Sequence, residues 1–257
     1  MTLLSTRRIL TLACVALFAN AAIASAPADA PVPNATQSPE SAAIAKGAPP
    51  SAVIKPTGVT PADAPPAMAA PESKPFVYRP KMSDVVIGKA EAPVTMVEYA
   101  SLSCPHCSHF YTTVLPQLTN KYIDSGKVKL IYRNYPLNDP ALKAAELVQC
   151  AEPDRREAFV KVLFTTQTKW AYDMVGYRDA LGNIAVLGGF DRLQFEACMN
   201  NKDIEKTILD VAKEAADDYH VTSTPTFYIN GVEARGDHDF LSMSKLIDAA
   251  IEKQAKK

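Results

Sequence analysis

Two cysteines separated by a proline and a histidine, Cys104 to Cys107, carry the clearest chemistry of the chain. They lie where an apolar stretch, residues 94–99, is followed by a segment with helical patterning. At the N-terminus of a helix the first amide N–H groups lack intrahelical partners and the macrodipole is positive, so a thiolate there is stabilised. Pro105 suits the first helical turn, and His106 can add positive charge beside the sulfur. The motif therefore predicts a redox-active pair with Cys104 as nucleophile.

Other chemistries of two close cysteines fit this chain less well. A structural zinc site needs four ligands, usually as two close pairs, but Cys150 and Cys198 lie far apart and no second Cys-X-X-Cys occurs in the sequence. Covalent haem attachment requires a histidine directly after the second cysteine, where this chain has Ser108. We therefore expect neither a metal nor another cofactor. A zinc site or an inert structural disulfide is the alternative to the redox pair.

Two strands and a helix surround the motif. Residues 94–99 and 128–132 are apolar runs of strand length. Residues 105–123 have helical periodicity, with a kink expected near Pro116. This order predicts a βαβ unit in which Cys104 closely follows the first strand.

A second unit lies near the C-terminus. Residues 226–229 and 232–235 are joined by Asn230-Gly231, a dipeptide that favours a two-residue hairpin turn. A helix with one apolar stripe follows the hairpin. The order predicts a ββα unit.

The segment between the two units, residues 139–219, is predicted to be helical throughout. Asp139 and Pro140 suit an N-cap and a first helical turn, and Asp191 with Gln194 has the spacing of a capping box. A βαβ half and a ββα half are thus separated by an all-helical insertion.

The N-terminal third has a different composition. Residues 1–26 carry two arginines, an apolar run and a small-residue end, which is the layout of a secretory signal peptide. An uncleaved membrane anchor is the alternative, although the apolar run is shorter than the ~20 residues that span a bilayer. Residues 27–82 hold most of the 20 prolines, interleaved with Ala and Ser and without a hydrophobic period. This composition predicts a disordered Pro/Ala-rich linker.

The motifs together resemble the DsbA family of bacterial periplasmic thiol-disulfide oxidoreductases. The resemblance covers residues 84–251 and rests on Cys-Pro-His-Cys at 104–107 and on Ser-Thr-Pro-Thr-Phe at 223–227, which matches the cis-proline loop of that family. It implies an α/β fold of the thioredoxin-like type, built from residues 83–138 and 220–257, with the all-helical domain inserted between these two parts.

Thiol–disulfide exchange assigns different roles to the two cysteines. One thiolate attacks a disulfide to give a mixed disulfide, which a second thiol can resolve. Cys104 is expected to make this attack and therefore to be exposed, whereas Cys107 resolves the mixed disulfide and can be buried. Pro105 and His106 favour the thiolate of Cys104.

Three further residues enter through the resemblance. It implies a cis Thr224–Pro225 bond, which would place the Thr224 backbone beside the sulfurs, where an extended substrate could add as a strand. Glu98, six residues before Cys104, lies where the family keeps a buried acid. Buried there, Glu98 could accept the proton of Cys107, with its own pKa raised by desolvation. An outward-facing Glu98 is the alternative, because strand alternation does not settle its face.

Cys150 and Cys198 are expected to form a structural disulfide within the insertion. Removal of the signal peptide would leave four cysteines in an oxidising compartment, and two of them belong to the motif. Two separate buried thiols are the alternative.

These features predict a periplasmic oxidase that donates the Cys104–Cys107 disulfide to unfolded or folding secreted proteins and is recycled by a membrane redox partner. A reductase or isomerase kept reduced by a membrane partner is one alternative, which Thr224 favours because the isomerase branch often carries Thr at this place. A peptide-binding chaperone module is another.

Charge and patterning limit the other partners. The formal net charge of −1 gives no basic balance for binding nucleic acid. The region before the domain has no heptads, so we expect a monomer, with the N-terminal segment as a possible membrane tether.

Overall fold

The computed structural model describes residues 74–256, in which five strands form one mixed sheet of order β1-β3-β2-β4-β5. Strands β2 and β3 are parallel, and the other neighbouring pairs are antiparallel. This is the sheet that a βαβ unit and a hairpin produce when the hairpin joins the free edge of the first strand. The strands are β1 (Val85–Ile87), β2 (Val94–Ala100), β3 (Val128–Asn134), β4 (Thr226–Ile229) and β5 (Val232–Glu233).

The helices of the described region include a broken active-site helix between β2 and β3, a group of five helices between β3 and β4, and one after β5. In chain order they are α1 (Pro105–His109), α2 (Leu115–Leu118), α3 (Asp139–Cys150), α4 (Arg156–Thr165), α5 (Tyr177–Leu187), α6 (Arg192–Met199), α7 (Lys202–Tyr219) and α8 (Phe240–Ala255). No helix within residues 74–256 is both long enough and apolar enough to cross a membrane.

The active-site helix, residues 105–123, alternates between α-helical and π-helical turns. The π-helical turns are Phe110–Val114 and Thr119–Ile123, on either side of α2. Pro116 has no N–H and cannot donate to the carbonyl four residues earlier, so the regular α-helical pattern is interrupted around it. The disturbance expected at Pro116 therefore takes the form of widened turns.

The two faces of the sheet bury different sets of side chains. Side chains alternate along a strand, so Met96, Glu98 and Ala100 of β2 share one face, which we call the front face. The back face carries Val97 and Tyr99, together with residues of β3 and β4. Helix α7 packs on the back face through Val211 and Ala215, and on the main core through Ile208. The last helix of the predicted insertion therefore also covers the sheet.

The folded chain begins earlier than the expected boundary at residue 83. Residues 74–82, here called the N-terminal strap, lie on the back face of the sheet. The ring of Phe76 stacks on that of Tyr228 with centroids 4.1 Å apart, and Lys74 pairs with Asp218 at 2.7 Å. Sequence reasoning missed the packing of Phe76 because the strap continues the Pro-rich composition of the residues before it. The predicted signal peptide and residues 27–73 of the predicted linker lie outside the described residues.

A buried ion pair lies where the strap leads into β1, and its arginine also holds the strap. Arg133 of β3, 1% exposed, donates to both carboxylate oxygens of Asp84 at 2.7 and 2.8 Å. The same guanidinium donates to the hydroxyl of Tyr99 at 3.0 Å and to the carbonyl of Arg79 at 2.9 Å. The charged groups are thus paired and hydrogen-bonded, as burial requires.

The helical segment between β3 and β4 follows most of the local signals. Asp191 and Gln194 form both hydrogen bonds of a capping box at the start of α6, as predicted. At α3 the cap is Asn138, which accepts from the amide of Ala141 at 3.0 Å, one residue before the predicted Asp139. The described residues of the sheet and of these helices belong to one compact unit, and the main core contains residues from both.

Candidate active site

The Cys-Pro-His-Cys segment lies at the N-terminus of the active-site helix, just beyond the end of β2. Cys104 is the N-cap of α1, and its carbonyl accepts from the amide of Ser108 at 3.1 Å. Pro105 and His106 begin the helix and are exposed. Within the described chain both Cys104 and Cys107 are free thiols, so the structure shows the reduced state.

The two cysteines are both buried, to different degrees. Cys107 has no exposed surface, whereas Cys104 retains 5%. The exposure of Cys104 is smaller than its expected role as attacking group suggested. The cause lies in the loop that contains Thr224, because the Cys104 thiol donates to the carbonyl of Thr224 at 3.3 Å. The Thr224–Pro225 peptide bond in that loop is cis.

The acid–base properties of the two thiols are opposite. A hydrogen bond from the Cys107 thiol, together with the Thr224 side chain and the backbone N–H groups of Cys107 and His106, lowers the pKa of Cys104 to about 5, although burial opposes this. Burial and the neighbouring negative charges raise the pKa of Cys107 far above its ordinary value. At neutral pH Cys104 is a thiolate, and Cys107 keeps its proton.

Glu98 lies on the front face of the sheet and is completely buried. Neither of its carboxyl oxygens has a hydrogen-bond partner among the described residues. Burial is the main cause that raises the pKa of Glu98 well above its ordinary value, and negative charge on Cys104 raises it further. Glu98 also raises the pKa of Cys107, so the carboxyl group and the buried sulfur influence each other. The outward-facing alternative for Glu98 is wrong.

Comparison with known proteins finds relatives among the protein-disulfide oxidoreductases. The family model described as Thioredoxin matches residues 81–249. A relative from Rickettsia felis that carries the name protein-disulfide oxidoreductase is 33% identical over 190 residues, which cover 73% of this chain and 68% of the relative. The crystal structure of alpha-DsbA1 from Wolbachia pipientis superposes with a TM-score of 0.63 at 33% identity, covering 67% of this chain and 92% of that one. This chain belongs to the DsbA family.

Membership makes this DsbA-family protein a protein-disulfide oxidoreductase with a thioredoxin-like fold. A further relative, the disulfide bond formation protein D of Bacillus subtilis, is 27% identical over 172 residues, which cover 65% of this chain and 76% of the relative. The resemblance stated from the sequence is therefore confirmed, as are the α/β fold with its helical insertion and the class of reaction.

The second pair of cysteines lies within the helical segment of this DsbA-family protein. Cys150 at the end of α3 and Cys198 in α6 form a disulfide with an S–S distance of 2.09 Å and Cα atoms 6.0 Å apart. The bond joins two helices that are separate in sequence. Within residues 74–256 no group of three or more His, Cys, Asp or Glu side chains is arranged to hold a metal ion.

Sequence reasoning missed two tyrosines beneath the site. Burial raises the pKa of both Tyr111 and Tyr132 well above the ordinary value, and negative charge on Glu98 and Cys107 raises it further. Tyr132 is the neighbour of Glu98 across the β2–β3 pair, and its hydroxyl donates to the side chain of Asn134 at 2.9 Å. Tyr111 follows Cys107 by one helical turn, and this spacing could have indicated its place.

Sequence reasoning also missed a set of contacts from the helical segment to the motif. Gln167, which is 4% exposed, donates to the carbonyls of Leu102 at 2.7 Å and Cys104 at 3.0 Å. On the other side of the motif, the hydroxyl of Ser108 donates to the carbonyl of Phe164 at 3.0 Å. These contacts join residues about 60 positions apart, so no local pattern could predict them.

Proposed function

We propose that this protein is a disulfide oxidase that donates the Cys104–Cys107 disulfide to cysteine-containing proteins. The observation that carries the proposal is the position of Cys104 at the N-terminus of α1, where the thiol of Cys107 and the first amide N–H groups lower its pKa to about 5. A stabilised thiolate favours the reduced dithiol, so the corresponding disulfide is strongly oxidising. A low-pKa sulfur is also a good leaving group when a substrate resolves the mixed disulfide.

Transfer of the disulfide takes two displacements. A substrate thiolate attacks the sulfur of Cys104, the Cys104–Cys107 bond breaks, and Cys107 leaves as a thiolate that takes up a proton. Glu98, neutral because of its raised pKa, would supply that proton. A second substrate thiolate then attacks the substrate sulfur of the mixed disulfide and releases the Cys104 thiolate. Two electrons pass from substrate to enzyme, and the substrate gains one disulfide.

The loop at Thr224 and Pro225 is proposed to bind the substrate chain. The Thr224 carbonyl lies 3.3 Å from the sulfur of Cys104, so a peptide that pairs with this stretch of backbone brings its own cysteine to the site. Recognition through backbone groups is tolerant of sequence. It suits an enzyme that acts on many unfolded chains.

The location and partners form part of the same proposal. Residues 1–26 would direct export to the periplasm, and residues 27–73 would link the domain to this signal or to a membrane tether. Substrates would be secreted proteins that fold there, and a membrane redox partner would restore the disulfide after each transfer. We propose that the protein acts as a monomer.

Two assays on one model substrate test the direction of transfer. The first follows oxidation of the fully reduced, unfolded substrate, and the second follows recovery of activity from a scrambled substrate in glutathione buffer. An oxidase performs the first faster than the second, and its cysteines are found mainly oxidised in cells by thiol labelling after acid quench. Efficient repair of scrambled substrate by a pair that is reduced in cells would contradict the proposal.

A reductase or isomerase is the second candidate, and the side chain of Thr224 favours it. The Thr224 hydroxyl is one of the groups that act on the sulfur of Cys104, so it can shift the balance between the two redox states. If the second candidate holds, Thr224→Val moves the enzyme towards oxidation in both assays. Thr226→Val is the control, because the Thr226 hydroxyl donates to the carbonyl of Ser223 and has no role at the sulfur.

A further inference from the structure

The helical segment holds the redox motif from both sides. Before the motif, the side-chain amide of Gln167 donates to the carbonyls of Leu102 and Cys104. After it, the hydroxyl of Ser108 donates to the carbonyl of Phe164. Of these two side chains, Gln167 is the one that bonds to the backbone of the nucleophilic Cys104. Its amide nitrogen has two hydrogens, and each is matched to one carbonyl.

A second side chain fixes the orientation of that amide. The hydroxyl of Tyr172 donates to the side-chain oxygen of Gln167 at 2.9 Å. With its oxygen so occupied, the Gln167 amide must point its nitrogen at the two carbonyls. Tyr172 is 55% exposed, so the chain of bonds runs from the protein surface to the backbone of Cys104. Partial burial raises the pKa of Tyr172, and the negative charge of Cys104 raises it further.

The backbone of Cys104 determines where its sulfur lies. The thiolate is stabilised in part by the amide N–H groups of His106 and Cys107 in the first turn of α1. The carbonyl of Cys104 receives two donors, the amide of Ser108 at 3.1 Å and the side chain of Gln167 at 3.0 Å. Removing Gln167 leaves the amide of Ser108 as the remaining donor to the Cys104 carbonyl, so the backbone of Cys104 is held less firmly relative to those amides.

We propose that Gln167 and Tyr172 are positioning residues, which together hold the backbone of Cys104 so that its sulfur stays over the N-terminus of α1. The inference rests on thiol–disulfide exchange itself and applies to an oxidase, a reductase or an isomerase alike. Its test therefore measures the acidity of Cys104, which does not depend on the direction of transfer.

The first experiment compares Gln167→Leu and Gln167→Glu with the parent, all as full chains, by the pH dependence of the thiolate ultraviolet absorbance. Gln167→Leu should raise the pKa of Cys104, because the N-cap loses a donor. Gln167→Glu should raise it further, by about one unit or tenfold in the ionisation constant, because a carboxylate then faces two carbonyl oxygens near the sulfur. The equilibrium constant with glutathione should shift in the same order.

Tyr172→Phe tests the chain of hydrogen bonds from Tyr172 through Gln167 to Cys104 without disturbing the core. The substitution removes only the hydroxyl of a half-exposed ring, so folding is not at risk. The pKa of Cys104 should rise by roughly half a unit, because one hydrogen bond that orients Gln167 is lost. If the Gln167 variants do not fold, as judged by circular dichroism, Tyr172→Phe decides alone.

Gln149→Leu is the matched control. Gln149 also donates its side-chain amide from a helix of the insertion to a backbone carbonyl, that of Ser83, at 3.0 Å. The Gln149→Leu substitution should lower the melting temperature and leave the pKa of Cys104 unchanged. The proposal is overturned if Tyr172→Phe and any folded Gln167 variant keep the parent pKa, or if Gln149→Leu moves the pKa equally. Failure of the oxidase proposal would appear in the substrate assays instead and would leave these pKa shifts in place.

Discussion

Cys104 and Cys107 are separated by only two residues, yet one loses its proton readily and the other keeps it. The difference arises because Cys104 caps the helix and receives hydrogen bonds, whereas Cys107 is one turn inside it, against the buried Glu98. The motif alone was enough to predict the nucleophile. The strength of the contrast depends also on the side chain of Thr224, which comes from a distant part of the chain.

Single substitutions at the two cysteines should have different consequences. Cys104→Ser should abolish exchange, because it removes the only ionised sulfur of the pair. Cys107→Ala should retain attack and accumulate mixed disulfides with other proteins, because the intramolecular resolving thiol is absent. Non-reducing gels with and without reductant measure the trapped species. Equal trapping by both variants would refute this assignment.

Glu98 should increase the rate of disulfide transfer and lower the stability of the folded state. Glu98→Gln should slow transfer to substrate by roughly 100-fold, because the departing Cys107 loses its proton donor. The ratio of parent to variant rate should fall as pH rises through the elevated pKa of Glu98 and the parent loses the same proton. Stopped-flow rates across pH measure this ratio. Glu233→Gln, in an exposed strand, is the control and should leave the rate unchanged.

The same substitution should make the protein more stable above the ordinary carboxyl pKa. The folded pKa of Glu98 is raised above its unfolded value, so the native state binds more protons than the unfolded state between those two values. Stability therefore falls as pH rises through that window. Glu98→Gln should remove this decline, which melting temperatures across pH will show. An unchanged decline in the variant would mean that Glu98 is not its source.

Among the helices and strands, those with strong local signals were predictable. Asn230 and Gly231 both have positive φ angles, 47° and 89°, as the hairpin turn requires, and the capping box at Asp191 is formed. Strand β1 was missed because three residues are too few to show a period. The π-helical turns were missed because only the proline at 116 marks them.

The disulfide between α3 and α6 should stabilise the insertion without entering the reaction. Replacing both Cys150 and Cys198 by Ser should lower the free energy of unfolding by up to about 4 kcal/mol, the loop-entropy value for a 48-residue separation. Exchange activity at low temperature should be retained. Urea unfolding and the substrate oxidation assay measure the two quantities separately. Loss of activity in a fully folded double variant would assign this bond a redox role.

The stability of the whole molecule should depend on the N-terminal strap, although the composition of the strap suggested a disordered linker. A chain of residues 74–257 should unfold at a higher temperature than one of residues 83–257, because the shorter chain lacks Phe76 and exposes its place on Tyr228. Phe76→Ala in the longer chain should alone cost about 3 kcal/mol. Thermal melts of the three proteins measure this. Equal melting temperatures would place the start of the folded domain at residue 83 after all.

The carbonyl that meets the sulfur of Cys104 lies 120 positions further along the chain. During synthesis, which proceeds from the N-terminus, Cys104 emerges long before the loop that covers it and the strand β4 that completes the centre of the sheet. Cys150 and Cys198 both emerge in that interval and can meet within their own helices. A newly made copy can thus form the Cys150–Cys198 disulfide before its own redox site is assembled. In that case an already mature oxidant, such as an earlier copy of the same protein, must supply the disulfide.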